Sequence, residues 1–82
     1  MRESTIRLRM TYEGRSDAAF IYFDEIEAGG DEHTVQVESD HLSGMVNVDL
    51  DRKNRVVGIE VLGASKVLPT ALLAKLRDGT NS

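Results

Sequence analysis

Cysteine and tryptophan are absent from the 82-residue chain, and proline occurs once. Without cysteine there is no disulfide framework, and the thiolate zinc sites that staple many small domains are excluded. The same absence fits a reducing compartment, so the expected location is the cytoplasm. No stretch approaches the roughly 18 consecutive apolar residues of a membrane span. Met1-Arg2-Glu3-Ser4-Thr5 leads into alternating Ile6, Arg7, Leu8 and Arg9 rather than into an apolar export segment. A soluble protein that is neither exported nor membrane-bound is the expectation.

Lysine and arginine are missing between Arg15 and Arg52, and Asp24, Glu25, Glu27, Asp31, Glu32, Glu38 and Asp40 fall inside that interval. With a formal net charge of −4, such a surface repels nucleic acid, whose non-specific affinity comes from Lys and Arg on phosphates. A small basic protein would be attracted. Asp24, Glu25, Glu27, Asp31 and Glu32 are therefore a candidate partner surface, with plain solvation as the competing use of the same acids.

The length allows one domain, residues 1–82. Hydrophobic burial for a chain of this size is worth about 120 kcal/mol, and conformational entropy opposes it with about the same amount. Stability this close to balance needs a supplement. With disulfides and thiolate metals excluded, self-association remains, and a homodimer is expected.

Apolar Ile6, Leu8, Met10 and Tyr12 alternate with polar neighbours over residues 5–12, which predicts a half-buried strand. Glu13 to Asp17 is turn chemistry, and Ala18 to Phe23 is a short run apolar on both faces. A loop through Gly29-Gly30 precedes a strand with Val35 and Val37 on its dry face. Val46, Val48 and Leu50, then Val56, Val57, Ile59 and Val61, predict a hairpin turning at Asp51-Arg52-Lys53-Asn54, with Asn54 in the left-handed region. Pro69 opens an amphipathic helix over about 66–78, with Leu68, Leu72, Leu73 and Leu76 on one face. The fold class predicted is α+β: an antiparallel β-meander of about five strands with one C-terminal helix packed on the sheet.

Residues 11–23, Thr-Tyr-Glu-Gly-Arg-Ser-Asp-Ala-Ala-Phe-Ile-Tyr-Phe, and residues 46–65, from Val46-Asn47-Val48-Asp49 through Val57-Gly58-Ile59-Glu60 to Ser65, carry a family pattern. In order and spacing the two segments resemble the YuzE-like family of small bacterial domains of unknown function. Departures are Glu13 for Asp, Ser16 for Ala and Asn54 for Gly, each chemically mild. The resemblance implies a sheet-plus-helix domain with no assigned activity. Members are sometimes encoded beside small toxin-like proteins, which implies an antitoxin-like role. Asp17, Tyr22, Asp49 and Asp51 are its candidate motif site, with turn or capping duty the stronger account of such residues.

No reaction is written in the chain. Asp49, Asp51 and Glu60 fall at calcium-loop positions, but Lys53 and Asn54 break the template and a hairpin is not helix-flanked. His33 and His41 lack zinc spacing, no serine sits in a G-x-S-x-G elbow, and Gly29-Gly30 lacks the lysine of a phosphate loop. Catalytic residues, cofactors and metals are expected to be none. Arg52, Lys53 and Arg55 form the one basic cluster, which with Arg7 and Arg9 could grip a nucleic-acid backbone locally, but no aromatic platform for base stacking accompanies it. The reading from sequence is a non-enzymatic protein-interaction module, antitoxin-like. The alternative is a small-molecule-binding domain or weak enzyme with a pocket at a dimer interface around Asp17, Tyr22, Asp49 and Asp51.

Overall fold

The computed structural model describes residues 1–24 and 33–79. Five strands and two short helices follow one another as β1 (Arg9–Glu13), β2 (Ala18–Tyr22), β3 (His33–Val37), β4 (Met45–Leu50), β5 (Val56–Leu62), α1 (Ala64–Val67) and α2 (Thr70–Gly79). All pairings are antiparallel, in the order β1-β2-β5-β4-β3. The α+β expectation holds. Consecutive strands pair in β1-β2 and through β3-β4-β5, and the two blocks join where β2 lies beside β5, so the chain leaves an inner strand and re-enters at the far edge.

Local chemistry explains the turns. Asp17 sits at φ 51° and its N–H donates to the Gly14 carbonyl at 3.3 Å, closing the β1-β2 hairpin. Asn54 at φ 61° takes the left-handed position expected of it in the β4-β5 turn. There Oδ1 of Asp51 accepts from the N–H groups of Lys53 (2.8 Å) and Arg55 (3.0 Å), and its Oδ2 pairs with Arg55 Nε at 3.0 Å. The single helix expected over 66–78 is two. Leu68 precedes Pro69 and is held extended at φ −86°, ψ 149°, because the proline ring disfavours helical geometry in the residue before it.

Register separates the two faces of the sheet. Met10, Tyr12, Ala19, Ile21, Ile59, Val61, Val46, Val48, Val35 and Val37 share one face. On it Ala19, Val61 and Ala64 form the buried cluster, against which Tyr12, Ile59, Val67 and Leu68 pack. Leu73 anchors α2 as a buried residue, with Leu72 and Leu76 half-buried beside it. The helices pack on β1 and β5. Coverage thus stops short of the β3 edge, where Val35 and Val37 stay 49% and 41% exposed. The dry face expected for β3 is corrected accordingly: all five residues of this edge strand are exposed. The first strand also begins later than its alternation predicts, at Arg9, leaving Ile6 (73%) and Leu8 (45%) outside the sheet and exposed.

Candidate functional site

The opposite face of the sheet is polar and aromatic. One cross-strand row runs Arg9, Tyr22, Gly58, Asp49, Thr34, and the next runs Thr11, Phe20, Glu60, Asn47, Gln36. Strand spacing of about 4.8 Å places Tyr22 and Asp49 roughly 10 Å apart on either side of Gly58. Phe20 and Tyr22 stack with ring centroids 5.4 Å apart, and the Arg9 guanidinium lies 3.8 Å from the Tyr22 ring centre. Asn47 and Asp49 are buried at 8% and 7% exposure. Asn47 Nδ2 donates to Glu60 Oε1 at 3.0 Å, and the Thr34 hydroxyl donates to Asp49 Oδ1 at 2.9 Å. Oδ1 of Asn47 is buried with no hydrogen-bond partner among the described residues.

The four candidate motif residues do not converge. Tyr22 and Asp49 share this face. Asp17 lies at the β1-β2 turn, beside the end of β5, whereas Asp51 lies in the turn before the start of β5, so the length of that strand separates them. Both aspartates are occupied by structure. Oδ1 of Asp17 accepts from the Tyr12 hydroxyl (2.8 Å) and the Ser65 N–H (2.9 Å), and its Oδ2 accepts from the Ser65 hydroxyl at 2.6 Å. Its carbonyl oxygen accepts from the Ala64 N–H at 2.9 Å. Two first-turn N–H groups of α1, which has no side-chain cap of its own at Gly63, are thereby satisfied from a residue far back in the chain. The Ser65 hydroxyl bond, with help from the Tyr12 hydroxyl, the Ser65 N–H and the Arg77 charge, holds the Asp17 carboxyl below its ordinary range, against the opposing effect of desolvation. Asp51 is lowered likewise, first by the Arg55 N–H and then by the Lys53 N–H and the Arg55 guanidinium.

Of the acidic candidates, Asp24 is exposed just beyond β2, and Glu25, Glu27, Asp31 and Glu32 lie outside the described residues. His33 begins β3 and His41 sits in the turn before β4. Among the described residues no group of three His, Asp or Glu could hold a metal ion, and no helix is long and apolar enough to cross a membrane. Sequence alone does not single out Phe20, Asn47 and Glu60 as neighbours. Alternation gives each its face and the β4-β5 hairpin sets Asn47 beside Glu60, but Phe20 joins them only because β2 pairs with β5, three strands later in chain order.

Residues 9–65 match the model of a family described as "Protein of unknown function (DUF2283)". The matched span starts with β1, contains the whole sheet and ends on Ser65, the partner of Asp17. No curated protein and no solved structure matches the chain.

Proposed function

The chain belongs to the DUF2283 family, whose model spans more than half of it, and from that premise we propose that it is a non-enzymatic protein-interaction module completed by a second copy of itself. The observation that supports this reading is the half-covered apolar face. Val35 and Val37 are exposed on the same face as half-buried Val46 and Val48, beyond the reach of helices that pack on β1 and β5. Among the described residues no large side chain is completely buried.

The YuzE-like resemblance of residues 11–65 falls within the matched span, and it supplies the finer form of the proposal: an antitoxin-like protein that neutralises a small basic partner. A net charge of −4 favours such an encounter. Sedimentation equilibrium of the chain and of a variant with charges at Val35 and Val37 tests the second copy, and co-purification with the product of a neighbouring reading frame tests the basic partner.

A further inference from the structure

We propose that the polar face of the sheet, the one turned away from the helices, is a docking surface for a basic peptide segment, seating an arginine or lysine over Phe20 with its charged end on Glu60. The inference rests on the protein-interaction reading and names the partner chemistry for one surface of it.

The strands place three carboxylates on this face, Glu13, Asp49 and Glu60, against a single cation, Arg9. Arg9 is already engaged on the Tyr22 ring, and it shows how a guanidinium lies on this aromatic pair. Next to it a cavity of about 460 Å³ is lined by Thr11, Glu13, Ser16, Phe20 and Glu60, among others, and no lysine or arginine is among the described residues of its wall. Glu60 is half-buried, and only its Oε1 is engaged, by Asn47, so among the described residues Oε2 is open to a donor. A carboxylate beside an aromatic face matches a side chain with an apolar stem and a cationic tip.

Charge complementarity selects among occupants. Phosphates would meet carboxylates, which disfavours nucleic acid. A second copy would bring the same carboxylates and the same net charge of −4, and its proposed place is the apolar face. A bare metal ion lacks its ligand set among the described residues. A cationic peptide satisfies both glutamates and covers Phe20.

The test is a titration of isotope-labelled protein, followed by amide chemical shifts, with a capped Gly-Arg-Gly-Arg-Gly peptide. Its citrulline counterpart and a uridine decanucleotide serve as comparison ligands. Shifts centred on Thr11, Phe20 and Glu60, with binding at least about tenfold weaker for citrulline, are expected. Glu60→Gln keeps the acceptor for Asn47 and so keeps the fold, which a melting curve checks, yet should weaken the arginine peptide by about tenfold; Phe20→Leu should weaken it as well. Equal binding of citrulline, tighter binding of the oligonucleotide, or no effect of Glu60→Gln overturns the site. Shifts confined to Asp24 and residues 33–40 also overturn it while leaving the interaction module standing. A monomer in sedimentation that still binds the peptide here removes the second copy and keeps this surface.

Discussion

Asp17 and Ser65 are joined by a hydroxyl-to-carboxylate hydrogen bond of 2.6 Å across a separation of 48 residues, and the Ser65 N–H adds a second bond to the same carboxylate at 2.9 Å. Together they fasten the β1-β2 turn to the first turn of α1, at the point where the chain leaves the sheet to cover it. Asp17→Ala removes both bonds and the one from Tyr12, and should lower Tm by about 5 to 10 °C. Ser65→Ala leaves the backbone bond in place and should cost only a few degrees. Thermal melts of both single variants and the double variant check this: the double should lose less than the sum, because both singles remove the same hydroxyl bond.

Acid should release the same fastening. Because the Asp17 carboxyl is held below the ordinary 3.8 in the folded chain, its contribution is complete above about pH 4 and is lost as pH falls through the lower folded value. Asp51 acts in the same direction. In urea denaturation between pH 7 and pH 2, Asp17→Asn should be less stable than the parent at neutral pH, and the gap should close on acidification. A gap that stays constant with pH would show that the carboxylate charge contributes nothing.

Gly44 and Gly63 approach each other beneath α1, and a methyl group at position 44 would fall on the Leu62 carbonyl oxygen and 2.9 Å from Val67 Cγ2. A backbone carbonyl cannot swing aside as a side-chain tip can. Gly44→Ala should therefore cost about 3 kcal/mol, seen as a Tm fall of about 10 °C or more. A Tm within a degree or two of the parent would mean that Gly44 does not approach the end of β5 and Val67 of α1 in this way.

Much of the architecture was legible because it is local. Alternation in Val46, Val48 and Leu50 and the left-handed Asn54 identify the β4-β5 hairpin from chemistry within a few residues. The split at Pro69 was less legible, since proline suits a helix start and also ends whatever precedes it. What escaped was mostly non-local. Val35 and Val37 alternate as a buried strand would, but an edge position beyond the helices leaves them exposed. Asp17 and Asp51 belong to one candidate site only through the family-like segments that carry them, whereas the length of β5 separates them and local hydrogen bonds occupy each. Phe20 joins Glu60 and Asn47 only through the β2-β5 register, which no short-range pattern encodes.

Sedimentation equilibrium at micromolar concentration, on the parent chain and on Val35→Lys/Val37→Lys, tests the central proposal most directly. Both valines are exposed edge positions, so the double variant should stay folded by circular dichroism. The account predicts a parent species of twice the 9.1 kDa chain mass and a variant that sediments as a monomer. A parent that remains a folded monomer at every concentration tested, with a Tm independent of concentration, would contradict it.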